Sequence, residues 1–173
     1  MPATAASAPT VALPASDPQA VALMETVNAY RARHQDTPPV IYDTKLADRA
    51  QAWTSKCTGR YESQSSVPPA DRVGQTMYFE RFVPVSGIAR RAVDAWYAEG
   101  RNYDYGRQQS PPGTTSGHFT QVVWSKSVKV GAALVSCTNG PNAGWNHLMV
   151  YWQEAGNLYG AYAANVHPLK PTS

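Results

Sequence analysis

Apolar side chains recur at helical spacing in three stretches of this chain, and in two others they form nearly unbroken runs. Asp17 before Pro18 reads as a helix start, a side-chain cap with proline at the first helical position. Val21, Met24, Val27 and Ala29-Tyr30 continue one apolar stripe to about His34, and Pro38-Pro39 ends it. A short extended piece, Val40-Ile41-Tyr42, leads to Asp43 or Thr44 as the next cap. The second helix carries Leu46, Ala47, Ala50 and Trp53 on one side, up to Cys57. Residues 58–73 are polar and broken by proline, which predicts a loop. Ser86 caps a third helix with Ile88, Ala92, Ala95-Trp96 and Glu99 in helical register. Val73 to Phe82, Val128 to Cys137 and Leu148 to Trp152 read as strands, the last two separated by an Asn139-Gly140-Pro141 turn. Residues 106–117 are loop. Phe119 to Trp124 is ambiguous, its β-branched content favouring a strand.

The remaining segment is different in kind. Residues 1–16 contain Ala, Pro, Ser and Thr without aromatic or charged side chains. Such a stretch has too little to bury to offset its ordering entropy. It is expected to be a flexible tail that joined a single domain, residues 17–173, to a secretion signal since removed.

A chain of 173 residues, 43% apolar, with five Trp and ten Tyr, suits one domain with a sizeable core. No run approaches the roughly 20 apolar residues of a membrane span. The net charge of +3 comes from scattered basic residues, Arg31/Arg33 and Arg90/Arg91 being the densest pairs. Nucleic-acid binding needs a concentrated basic face, so it is not expected.

Gly117-His118-Phe119-Thr120-Gln121-Val122-Val123-Trp124-Ser125-Lys126-Ser127 resembles the first signature of the CAP superfamily, the cysteine-rich secretory, antigen 5 and pathogenesis-related 1 proteins, also called SCP/TAPS. Met149 to Asn157 is similar to the second signature. Val93 to Glu99 with Asn102-Tyr103-Asp104-Tyr105 looks like the central helix and its exit, and Tyr30 to His34 like the end of the first helix. Fungal and plant members of pathogenesis-related 1 type resemble the chain most. The resemblance implies an α+β fold, an α-β-α sandwich with a three-stranded antiparallel sheet between helical layers. It also implies a short helix at Phe119 to Trp124 and a secreted extracellular protein, and a monomer is expected.

It further implies a disulfide between Cys57 and Cys137, which alone could be two buried thiols. Members commonly add a cross-strand bridge at the positions of Ala132 and Val150, both apolar here.

The family's cleft of two His and two Glu can hold a divalent cation. Glu99 and His118 stand where one of each is placed. The second carboxylate position reads Gln75, and the second histidine, due shortly after Cys57, is missing. Anchoring on a following serine puts Glu62 there, whereas anchoring on cysteine spacing puts Ser63 there. Glu62 is preferred. Zinc favours about three His, Cys or carboxylate ligands at an open site. His118, Glu99 and Glu62 would be a weak set, so no metal and no cofactor are expected. Without the paired acid and base, and without a Gly-x-Ser-x-Gly elbow around Ser116, the chain is not expected to be an enzyme.

The family's other activity is binding of sterols and fatty acids. Sterol-binding members resemble one another in a loop patterned aromatic-x-aromatic, four residues, aromatic. Tyr103 and Tyr105 keep the first two positions, and Ser110 falls at the third. One lost aromatic anchor removes about 2 kcal/mol of burial, or about thirtyfold in affinity, so sterol binding should be impaired. The family's fatty-acid channel lies between two helices, here the first and third. The expected partner is therefore a hydrophobic small molecule, sterol or fatty acid, or a host protein if the chain is an effector with an unused cleft. Trp53, Trp96, Trp124 and Trp152 are expected in the core, Trp145 exposed, and His147 on the surface.

Overall fold

The computed structural model describes residues 11–172. In chain order the elements are β1 (Val11–Ala12), α1 (Pro18–Arg31), β2 (Ile41–Tyr42), α2 (Thr44–Thr54), β3 (Gly74–Glu80), α3 (Ile88–Ala98), α4 (Gly117–Val122), β4 (Lys129–Ser136), β5 (Asn146–Gln153) and α5 (Tyr162–Asn165). The caps follow the local chemistry. Asp17 accepts from the Gln19 amide at 2.7 Å and Asp43 from the Leu46 amide at 3.0 Å. The third helix is capped by Gly87 in the left-handed region (φ 84°), not by Ser86. The first helix stops at Arg31, short of His34, because His34 turns inward to bond the His167 carbonyl and the Tyr97 hydroxyl.

β4, β5 and β3 form an antiparallel core in which Gln75 lies opposite Tyr151 and Ala132 opposite Val150. β2 adds parallel to one end of β4 and β1 antiparallel to the other. The sheet thus has five strands among the described residues rather than three, the two extra ones being two-residue pairings. β1 also corrects the boundary of the predicted tail. Val11 and Ala12 pair with Leu134 and Ala133, and Leu13 is buried. Leu13 supplies the apolar anchor that the composition of the segment obscured. Residues 1–10 of that tail lie outside the described residues.

The two faces of the sheet carry separate apolar clusters. Leu46 and Ala50 of α2 pack on Ala133, Met149 and Tyr151. The larger cluster joins α1, α3 and α4 to the opposite face through Leu23, Val27, Ile88, Trp96, Phe119 and Trp152. This is an α-β-α sandwich. Gly131 is required at the α2 contact, where a Cβ would stand 2.2 Å from the Ala47 backbone nitrogen. Trp96, Trp124 and Trp152 are core residues, whereas Trp53 is half-buried. Trp145 is half-buried too, with the Arg81 guanidinium 5.2 Å from its ring. His147 is not a surface residue. β5 begins early enough to carry it inward, where it is 5% exposed, meets the Phe79 ring and is depressed in pKa by burial.

Phe119 to Trp124 resolves as the end of the short helix α4 and its exit. Tertiary packing overrides β propensity here: Phe119 is driven against Gly100, whose Cβ would lie 2.7 Å from the ring. Arg31, fully buried, fixes the helix exit by donating to the carbonyls of Pro38, Val122, Trp124 and Ser125. Burial lowers its pKa to about 10. Cys57 and Cys137 are disulfide-bonded across a separation of 80 residues, worth about 4.5 kcal/mol on a chain-entropy account.

Candidate functional site

Glu99 closes α3 and opens a 3-10 turn, which points its carboxylate at the first residues of α4. One oxygen accepts from the His118 backbone amide at 3.1 Å, and the other lies 2.8 Å from His118 Nδ1. A single carboxylate thus caps the helix start and sets the imidazole, with Nδ1–H donating and Nε2 left as the acceptor. The Trp96 ring lies nearly parallel to the imidazole, centroids 5.9 Å apart, and is held by its own Nε1–H on the Met77 carbonyl.

The other ring nitrogen is occupied. The Tyr61 hydroxyl is 3.0 Å from His118 Nε2, in the region where a second histidine was expected. Burial of the phenol, helped by the Glu99 charge, raises the Tyr61 pKa. Neither Glu62 nor Ser63 fills that place. The Glu62 carboxylate turns to the Tyr151 hydroxyl at 2.7 Å and to Arg49 at 3.4 Å, and Ser63 bonds Ser65. Tyr151 is pushed up in pKa by burial, then by this bond to Glu62. Only the aromatic side chain just before Glu62 signalled the true neighbour of His118, and a loop without periodicity offers no register to choose it.

Gln75 acts on the backbone. Its amide oxygen accepts from the Glu62 N–H and its amide nitrogen donates to the Glu62 carbonyl, both at 2.8 Å. It pairs with the loop as a strand neighbour would, and so delivers Tyr61 to His118. The residues therefore do not fit a divalent cation. Both Glu99 oxygens serve His118, Nε2 faces a phenol, and Gln75 and Glu62 are turned elsewhere. Among the described residues no group of three or more His, Cys, Asp and Glu could hold a metal ion.

The Tyr103–Ser110 loop borders the same site. Tyr103 is 7% exposed, packed against Phe119 and edge-on to Tyr105, and burial pushes its pKa up to about 12. Tyr105 is half-exposed, and Ser110 bonds the Thr114 carbonyl. Asp104 and Gln109 pair through their backbones, and the Asp104 carboxylate accepts from the Gly106 and Arg107 amides. The loop is thus a tight polar turn. Between it and His118 opens a cleft of about 940 Å³, lined by Tyr61, Gln75, Ser110, Ser116, Tyr159 and Tyr162 among others. The His–Glu pair and the loop face one space.

An α-β-α sandwich with a carboxylate-set histidine at the mouth of such a cleft defines the class. The chain belongs to the CAP family, described as the cysteine-rich secretory protein family, which it matches over residues 24–153. It is 36% identical over 102 residues to a pathogenesis-related protein of PR-1 type from Sambucus nigra, covering 59% of each chain. It is 36% identical over 146 residues to Protein PRY2 from Saccharomyces cerevisiae, covering 82% of this chain and 39% of that one. The chain therefore spans less than two thirds of both curated relatives. A structure of NaASP2 with Zn2+ superimposes with a TM-score of 0.70 at 18% identity, over 90% of this chain and 87% of that one. Na-ASP-1 superimposes with a TM-score of 0.69 at 19% identity, over 83% of this chain and 40% of that one. At those identities the likeness is one of fold.

Proposed function

We propose that the chain is a secreted, non-enzymatic binding protein of pathogenesis-related 1 type, which takes a hydrophobic small molecule at the cleft beside the Tyr103–Ser110 loop and holds sterol weakly. The observation that carries the reading is the state of His118. Glu99 and Tyr61 engage both ring nitrogens, so no free base remains for a serine or a water, while an open cleft stands next to them. Weak sterol binding is supported by Ser110 at the third anchor position and by Tyr103, which lines the cleft but is 7% exposed and so offers it little of its ring.

Native mass spectrometry of the secreted protein, before and after incubation with sterol, fatty acid and zinc, tests this. A sterol complex strengthened by Ser110→Phe supports it, and unchanged sterol retention by that variant refutes the role of the loop.

A second reading, a secreted interaction protein or effector without a small ligand, is favoured by the seam between α1 and α3. Leu23, Val27, Ile88, Ala89, Ala92 and Val93 are all 0% exposed there, so the seam is closed to solvent. Absence of every lipid complex in the same experiment would select it.

A further inference from the structure

Residues 81–86, which follow β3, are exposed one after another, and four of the six are apolar. Phe82 is 89% exposed, with Val83 at 43% and Val85 at 38%. Phe82 also adopts φ 61°, a left-handed conformation that a bulky side chain rarely takes. It is held from below. Arg91 donates to both oxygens of the buried Glu80, at 2.5 and 3.0 Å, and to the carbonyls of Pro84 and Ser86, at 2.8 and 3.0 Å. One guanidinium thus ties the end of β3 to the far side of the loop. Gly87 leaves space for it, since a Cβ there would lie 2.8 Å from Arg91. The fold thus holds an apolar tip outward, in a conformation that persists because Arg91 fixes the segment around it.

From this tip we propose that the Phe82-Val83-Pro84-Val85 loop is an interfacial anchor that inserts into anionic lipid bilayers. Its size favours a bilayer over a protein. The three side chains expose on the order of 300 Å² of apolar surface, well short of the roughly 800 Å² per partner of a stable protein interface. A nearly fully exposed Phe projects, and a projecting tip enters a headgroup layer without needing a complementary pocket. The charge around it is complementary to acidic lipid. The Arg81 guanidinium lies 4.3 Å from the Phe82 ring centroid, and no carboxylate is within ion-pair reach of it among the described residues. The half-buried Trp145, on which Arg81 also lies, completes an aromatic and cationic rim of the kind that settles at headgroup level. The anchor stands apart from the cleft, so it does not depend on what the cleft holds.

Co-sedimentation with sucrose-loaded vesicles tests it, using phosphatidylcholine alone and phosphatidylcholine mixed with phosphatidylserine. The wild type should pellet with the mixed vesicles. Phe82→Ser should lower that partitioning by about tenfold or more, since a full Phe side chain leaves the apolar layer. Arg81→Gln should weaken binding to the mixed vesicles and match the wild type on phosphatidylcholine alone. Light scattering on the wild type and Phe82→Ser, both folded because the side chain is exposed, reads self-association separately. Failure of the wild type to pellet, or pelleting of Phe82→Ser at the wild-type level, overturns the proposal. So does a wild-type dimer that Phe82→Ser dissolves, which would assign the tip to a protein contact.

Discussion

The Tyr61 hydroxyl and His118 Nε2 stand 3.0 Å apart, so the imidazole that opens the CAP signature is satisfied at both nitrogens within the chain. The expected outcome in zinc calorimetry is no His118-dependent binding in the micromolar range. Replacing Tyr61 by His, together with Gln75→Glu, should create such binding by restoring an imidazole and a carboxylate beside Glu99. Wild-type binding that His118→Ala abolishes would contradict the geometry.

Gln75 should matter through the loop it holds. Gln75→Ala removes two hydrogen bonds from the Glu62 backbone and should cost about 1–3 kcal/mol. Amide exchange across Tyr61 to Ser65 should quicken more than in β5. Gln75→Glu keeps the acceptor but sets a carboxylate oxygen against the Glu62 carbonyl in place of the donor, so near neutral pH it should cost at least as much as Gln75→Ala.

Arg31 is a buried cation surrounded by carbonyls. Arg31→Met fills much of the volume but leaves four acceptors without their donor, and destabilisation of about 3 kcal/mol or more is expected in urea unfolding. A loss below about 1 kcal/mol would mean that water replaces the guanidinium.

Stability should depend on pH through two histidines. Burial lowers the pKa of His34 below its ordinary 6.5, the bond to the His167 carbonyl opposes this, and Arg31 and Arg33 add to it. Burial lowers that of His147 in the same direction. The unfolded chain then binds more protons than the folded one just below 6.5, so stability falls as the pH drops through that value and flattens below the folded pKa. The melting temperature should decline from pH 7 towards pH 5, and His34→Gln should reduce the slope. A slope unchanged by that variant would assign the effect elsewhere.

What could be read from the sequence was mostly local. Asp17-Pro18 and Asp43 announced their helices because a cap is a contact between near neighbours. The pairing of Glu99 with His118 followed from the resemblance, which ran through regular elements on both sides. Tyr61 lay beyond reach because its place depends on Gln75 gripping a loop thirteen residues away in sequence. Glu62 was misplaced for the same reason, its target Tyr151 being 89 residues distant. His147 turned inward because β5 starts two residues before its apolar run, and a strand end set by pairing leaves no mark in hydrophobicity. Val11 to Leu13 escaped because three ordinary residues are few against a Pro/Ala/Ser/Thr background.

That short N-terminal pairing has a bearing on processing. A protease cutting after Leu13 would strip β4 of β1, its partner at Ala133 and Leu134 on the edge away from β5. The uncovered strand would present unsatisfied backbone groups to other chains, the usual opening for strand-to-strand aggregation. Val11 and Ala12 thus act as a cover for that edge, and a cut that removes them turns a closed strand into an open one.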